Sequence, residues 1–312
     1  MVCSHMSVVR TLLFLVLLCA AGPPAGAANV AVIISADVDA YRDALQGFKQ
    51  TLRHQVVAEY DMEGDFDHGQ EILAEIQSEV QPDLILAVGL WALQVAINQP
   101  IDVPVVFTMV LNPPAVLGIG AANVTGGSIN VPVEKSLRLF KQLGSQIRRV
   151  GVVFNPAKTG YLVKQADAIA REEGLQLVTR AILSPKEAIQ AMNSVQEEGV
   201  DAFWILPDET ILDAKVVRYA LLLSYRNNIP LFGLSERQAQ MGALISLSFG
   251  SSEDIGRQTG ELANGILRGK PVREIPYTTA RSVKLTVNLK AARKLGMEIP
   301  SSIVKMANTV IQ

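Results

Sequence analysis

Apolar residues in this chain fall into short continuous runs separated by stretches with helical spacing. That alternation predicts buried parallel strands joined by helices. Val30-Ala31-Val32-Ile33-Ile34-Ser35 is the first strand-like run. Tyr41, Leu45, Phe48 and Leu52 then recur at intervals of four, three and four, one face of a helix. The strand Val56 to Tyr60, a helix marked by Ile72, Leu73, Ile76 and Val80, and the strand Leu84 to Val88 follow. Gly89 turns the chain into a helix from about Trp91 to Asn98, and Val103-Pro104 opens the strand Val105 to Thr108.

The pattern then starts again. Val150 to Asn155 reads as a strand, followed by a helix from about Gly160 to Glu173 and the strand Leu175 to Ile182. A helix from Pro185 to Glu198, the strand Ala202 to Leu206, a helix from about Ile211 to Asn227 and the strand Leu231 to Gly233 complete the second pass. Landmarks shift by similar amounts: Val30 to Val150 is 120 residues, Asp83 to Asp201 is 118, and Pro104 to Pro230 is 126. Two successive copies of one module explain this better than one long sheet. Asn112 to Val131, rich in Pro, Gly and Asn, reads as a loop and crossover. Ala243 to Ser248, a helix from about Ser252 to Arg268, the strand Val283 to Val287 and the helix Leu289 to Leu295 would dock on one lobe or the other. The expected fold is α/β: two Rossmann-like lobes with parallel sheets and a three-strand hinge. The first lobe would take 28–146 plus about 247–275, and the second 147–246 plus about 276–312.

The N-terminus changes where this product is expected to reside. Arg10 is the only charged residue in the first 36, and it precedes the apolar run Thr11 to Ala21 and the small-residue site Ala25-Gly26-Ala27. These are the parts of a secretory signal peptide, here 1–27. The 11-residue run is short of the roughly 20 that span a bilayer. Met6 to Arg10 forms a complete basic start, so the start at Met1 or Met6 stays open. Leu18 stands where a lipoprotein signal wants a small residue, which argues against lipidation of Cys19. Cleavage after Ala27 would remove both Cys3 and Cys19 and leave no thiol for disulfides, metal or catalysis. An exported, periplasmic protein is expected.

Composition then narrows the chemistry. The chain is 49% hydrophobic with a formal charge of −2, without the basic footprint of a nucleic-acid binder. Past the signal only His54 and His68 remain, neither at a strand end, so a zinc centre or a Ser-His-Asp triad is not expected. Gly118-Ile119-Gly120-Ala121-Ala122-Asn123 looks like a dinucleotide loop but lacks its final Gly and follows Pro113-Pro114 rather than a first strand. No cofactor is expected.

In open parallel sheets, ligands bind beyond the carboxyl ends of the strands, where helix N-termini point. Those positions supply the candidate ligand-binding residues: Ser35, Tyr41, Gly89, Trp91, Thr108 and Asn112 in the first lobe, and Asn155, Thr159, Asp208, Thr210 and Glu236 in the second. The set suits holding a small polar molecule more than transforming one. Each has a plainer reading: Asp208 as a helix cap, Tyr41 as core, Trp91 as packing under the hinge, Thr210 and Glu236 as solvent-facing helix starts.

At these strand ends the chain resembles bacterial ABC-importer substrate-binding proteins related to the tryptophan- and tyrosine-binding lipoproteins. The resemblance is carried by Phe107-Thr108 with Asn112-Pro113, Asn123-Val124-Thr125-Gly126-Gly127, Arg149 to Pro156, Ile229-Pro230-Leu231-Phe232-Gly233, Gly256 to Gly260 and Val287 to Ala292. It implies a type I periplasmic-binding fold, a ligand closed between the lobes, an ABC permease and ATPase as partners, and Thr108, Asn155 and Asp208 in the site. The chain departs from the family where Asn112 replaces an Asp, Glu209 an Asn, and Trp91 a small hydroxyl residue, which argues for a specificity of its own. The leading expectation is a monomeric exported solute-binding protein serving an importer. The alternatives are a sensor that presents its closed state to a receptor, and an exported hydrolase.

Overall fold

The computed structural model describes residues 27–117 and 122–312. The expected signal peptide (apart from Ala27), Cys3, Cys19 and the choice between Met1 and Met6 lie outside the described residues. So does Gly118 to Ala121 of the dinucleotide-like loop.

The first lobe runs β1 (Asn29–Ile34), α1 (Asp39–Thr51), β2 (Gln55–Asp61), α2 (Phe66–Glu75, continued by a π turn), β3 (Leu84–Val88), α3 (Leu90–Ile97), β4 (Val105–Val110), α4 (Pro114–Leu117) and β5 (Val124–Ser128). Its five strands are all parallel, in the order β2-β1-β3-β4-β5. The second lobe runs α5 (Val133–Leu143), β6 (Arg149–Phe154), α6 (Pro156–Glu172), β7 (Gln176–Ala181), α7 (Pro185–Glu197), β8 (Ala202–Trp204), α8 (Ala214–Asn227), β9 (Leu231–Gly233), α9 (Glu236–Met241) and β10 (Ile245–Phe249). Then come α10 (Ser252–Leu267), β11 (Val283–Asn288), α11 (Leu289–Leu295), α12 (Ser301–Met306) and β12 (Thr309–Ile311). The second sheet is ordered β12-β11-β10-β9-β8-β6-β7, with β11 antiparallel to β10. Its β7-β6-β8-β9 portion repeats the β2-β1-β3-β4 order of the first, so the sequence echo is a repeat of topology.

The lobes divide differently from the expected boundaries. The apolar face of α5, including Val133, Leu137 and Phe140, packs into the core of the second sheet, where Phe140 stacks on Phe232 with ring centroids 3.8 Å apart. The first crossing therefore falls near 129–132, not at 146. Strand β10 stays in the second sheet, so the return crossing falls near Gly250 rather than 247. The chain comes back after 280, since Tyr277 still packs by Phe107 of the first lobe. Backbone bonds tie these crossings together: Ser128 N donates to Thr278 O at 2.8 Å, Ala280 N to Asn130 O at 2.9 Å and Gly250 N to Ser282 O at 2.8 Å.

Helix α10 is held on the first lobe by close backbone approach. A Cβ on Gly256 would lie 1.8 Å from Ala44 O, and one on Gly47 2.1 Å from Glu253 O, so only glycine lets α1 and α10 meet here. Asn264 Nδ2 donates to Thr51 O at 2.9 Å, which satisfies the C-terminal carbonyl end of α1.

One strand was not expected. Within the predicted loop Asn112 to Val131, Val124–Ser128 forms β5 beside β4. Its Val-Thr-Gly-Gly-Ser sequence carries little strand propensity. Packing explains the glycine: a Cβ on Gly126 would meet Phe107 O at 2.1 Å.

Candidate functional site

The carboxyl ends of both sheets face a common cleft, and the first question is where their polar side chains point. In the second lobe four expected site residues turn inward on one another. Asn155 caps α6, its Oδ1 accepting from Ala157 N at 3.0 Å. The fully buried Asp208 accepts from Asn155 N at 2.7 Å and Thr159 Oγ1 at 2.6 Å through one oxygen, and from Thr210 N at 2.9 Å through the other. Asn155 Nδ2 closes the ring on Thr210 Oγ1 at 3.1 Å. The carboxylate sits at the N-terminal end of α6, where it meets the Asn155 N–H and the Thr159 hydroxyl. This knot joins the β6 and β8 ends and consumes its own polar groups.

The first lobe has a smaller version. Ser35 Oγ donates to Val88 O at 2.8 Å and accepts from Ala92 N at 2.9 Å, tying β1 to β3 and the start of α3. The Tyr41 ring tip lies against Gly89, and burial pushes its hydroxyl pKa up. Thr108 is fully buried and its hydroxyl has no partner among the described residues. The next residue, Met109, is the extra residue of a bulge in β4, at φ 60°. The bulge shifts register between Thr108 and Val110, just before Leu111 and Asn112 reach the cleft.

Across the cleft, Asn112 is the bridge. Its Nδ2 donates to Lys158 O at 2.5 Å, its Oδ1 accepts from the Tyr161 hydroxyl, and its backbone N donates to Asn130 Oδ1 at 3.0 Å. Asn130 Nδ2 in turn donates to the Tyr161 oxygen at 3.2 Å. Desolvation and the neighbouring Tyr277 raise the Tyr161 pKa well above that of a free tyrosine, so the bridging proton is retained.

Two spaces open beside this bridge. The one at the mouth, about 330 Å³, is bordered by Trp91, Gln94, Asn112, Lys158 and Glu209, and Lys158 Nζ lies 3.1 Å from Glu209 Oε2. The other, about 320 Å³, lies against the hinge and is walled largely by apolar side chains such as Ile129, Trp204, Leu206 and Phe249. Its polar edge is Asn130, Ser136, Ser235, Gln238 and Ser248, and among the described residues no ionisable side chain borders it. Leu111 and Pro207 wall both spaces.

Of the expected residues, then, Trp91 and Asn112 border a cleft space. Asn155, Thr159, Asp208 and Thr210 form the knot beneath it, and Ser35, Tyr41, Gly89 and Thr108 brace the first-lobe strand ends. Glu236 is exposed at the start of α9 and bonded to Gln240 Nε2 at 3.3 Å, away from both spaces. The expectation missed Lys158, Gln94, Trp204 and Gln238. Trp204 reads as an ordinary buried strand residue; Gln238 was within reach, being three residues past the cap Ser235. Among the described residues, no group of His, Cys, Asp or Glu could hold a metal, and no helix is long and apolar enough to cross a membrane.

Comparison with known proteins agrees with this architecture. The family described as ABC transporter substrate binding protein matches residues 28–311. A tyrosine-binding protein of Clostridioides difficile (strain R20291) is 27% identical over 244 residues, 76% of this chain and 69% of that one. The ligand-free, open structure of a Clostridium difficile substrate binding protein with adhesive properties aligns with a TM-score of 0.68 at 24% identity, over 91% of this chain and 99% of that one. The ABC domain from Streptococcus pneumonia in complex with L-Trp aligns with a TM-score of 0.62 at 23% identity, over 90% and 100% of the two chains.

Proposed function

The chain belongs to the ABC transporter substrate-binding protein family, and from that premise we propose that its ligand is an amino-acid-like zwitterion whose apolar side chain fills the hinge-side cavity. As a member of this family it is an exported, periplasmic, non-catalytic protein that binds a small ligand and works with an ABC permease and ATPase.

The observation that carries the ligand reading is the division of the cleft. The hinge-side cavity, about 320 Å³, falls at the lower end of the ~300–1,000 Å³ range of ligand sites and has a neutral, mostly apolar wall. The mouth holds opposite charges, Lys158 and Glu209, that suit the carboxylate and ammonium of one molecule. The Clostridioides difficile relative, a tyrosine-binding protein, supports an aromatic member of this class. A net charge of −2 lacks the basic excess that a nucleic-acid partner would require.

A thermal-shift panel followed by calorimetry tests the reading. Amino acids with apolar side chains should raise the melting temperature, a ligand at 100 times its Kd adding about 2.7 kcal/mol. Sugars, nucleosides and dicarboxylates should not. Tight binding of one of these, with no response to any apolar amino acid, would sink the assignment.

A further inference from the structure

The hinge-side cavity has one polar side chain whose hydrogen bonding is incomplete in an informative way. Gln238, on the first turn of α9, is only 9% exposed. Its Oε1 accepts from Leu234 N at 2.7 Å, and its own backbone N–H is taken by Ser235 Oγ at 3.3 Å. An N–H such as that of Leu234 can be met only by the amide oxygen, so the amide orientation is set. The Nε2 group is left without an acceptor among the described residues, at the wall of a cavity that Gln238 borders. Asn130, by contrast, is committed at both ends to Asn112 and Tyr161.

We infer that Gln238 is a specificity-determining residue that selects ligands carrying an oxygen acceptor at the far end of their apolar side chain. The inference rests on the seating of that side chain in this cavity, as proposed above. Nε2 has two N–H donors and nothing to accept with, so it pairs with a phenol oxygen. A bare ring leaves it unmet, and an indole N–H, donor only, cannot answer it. The hydroxyls of Ser235 and Ser248 on the same wall can take the phenol proton. A site built to bond a substrate hydroxyl rejects the analogue lacking it, because its own buried group is stranded.

The test compares L-tyrosine with L-phenylalanine by calorimetry on the wild type, Gln238→Met and Gln238→Glu. The wild type should bind tyrosine at least about tenfold more tightly than phenylalanine. Gln238→Met removes the donors. Gln238→Glu keeps an oxygen for Leu234 N but replaces the donors with a second oxygen, which takes a phenol proton and repels an ether oxygen, so O-methyl-L-tyrosine, an acceptor only, is its probe and decides the matter if the first variant fails to fold. Gln238→Met should bring the tyrosine-to-phenylalanine ratio to within about threefold of one, and Gln238→Glu should lower the O-methyl-L-tyrosine-to-phenylalanine ratio about tenfold from that of the wild type, changes that a merely structural loss would not produce. A wild-type tyrosine-to-phenylalanine ratio near one, or ratios that survive these substitutions, overturns the role of Gln238 while phenylalanine binding keeps the ligand class standing. Binding of neither amino acid overturns this inference, while the ligand class stands or falls on the other apolar amino acids of the thermal-shift panel.

Discussion

Replacing Asp208 should damage the ligand-free protein before it damages binding. Its carboxylate accepts two backbone N–H groups and one hydroxyl, from Asn155, Thr210 and Thr159, all in buried surroundings. Asp208→Ala strands the two N–H groups, while the Thr159 hydroxyl can rotate away. At about 1–3 kcal/mol for each unmet buried donor, the loss is about 4 kcal/mol. Asp208→Asn keeps one oxygen for Asn155 and Thr159 but turns an amide N–H toward Thr210 N, so one donor is stranded and the loss is about 2 kcal/mol. At roughly 2–4 °C per kcal/mol for a chain of this size, the melting temperature should fall by about 8–16 °C in the first variant and about 4–8 °C in the second. Circular-dichroism melts of the ligand-free proteins measure both. If the two variants melt within about 2 °C of the wild type yet lose ligand affinity, Asp208 acts on the ligand and the knot is not structural.

Three other substitutions probe the helix contact and the bridge. Gly256→Ala drives a Cβ against Ala44 O at 1.8 Å and should cost about 3 kcal/mol by forcing α10 off α1, read as a lowered melting temperature. Gly265→Ala, whose nearest neighbour would be Ile275 Cδ1 at 3.8 Å, should leave stability unchanged or slightly raised. Tyr161→Phe removes the hydroxyl that joins Asn112 and Asn130 across the cleft and should weaken ligand binding about 2- to 10-fold, mainly through faster dissociation in stopped-flow traces. Because burial raises the folded pKa of Tyr161 above the unfolded value of 10.0, the bridge's contribution is complete below pH 10 and lost as pH rises through the folded value. Phenylalanine should flatten that alkaline decline.

The two lobes were legible because buried strands announce themselves as apolar runs, and their 120-residue spacing survives in the order of both sheets. Strand β5 was not legible. Its glycines answer to Phe107 of β4 and to Thr259 of α10, neighbours in space, and no local pattern carries that information. The boundary at 146 misplaced α5 for a related reason: the helix is amphipathic in sequence, but which core takes its apolar face is a tertiary matter. Of the expected strand-end residues, Trp91 and Asn112 border a space in the cleft, and most of the others bond to neighbouring backbone or to one another. Polar side chains at strand ends stand beside helix starts, whose free N–H groups need acceptors. Asn155, Asp208 and Ser35 meet that need, and doing so turns them away from the cleft. The residues that do wall the cavity, such as Leu206 and Trp204, look in sequence like any core residue.

The same physics that hid the cavity wall also orients its occupant. A zwitterion entering with its charges toward the hinge would strip water from two ions in a space with no ionisable partner, a cost of several kcal/mol per ion that neutral hydroxyls and amides do not offset. With its charges at the mouth, the proposed ligand would keep them beside Lys158, Glu209 and solvent, and Coulomb attraction there would compete with a surface ion pair that is itself worth little. The apolar end would then supply most of the affinity by burial past Leu111 and Pro207. Discrimination among apolar ends falls to the few neutral polar groups at the deep wall. In such a cleft, substitutions at the mouth should move affinity for all zwitterions together, and substitutions at the wall should change their ranking.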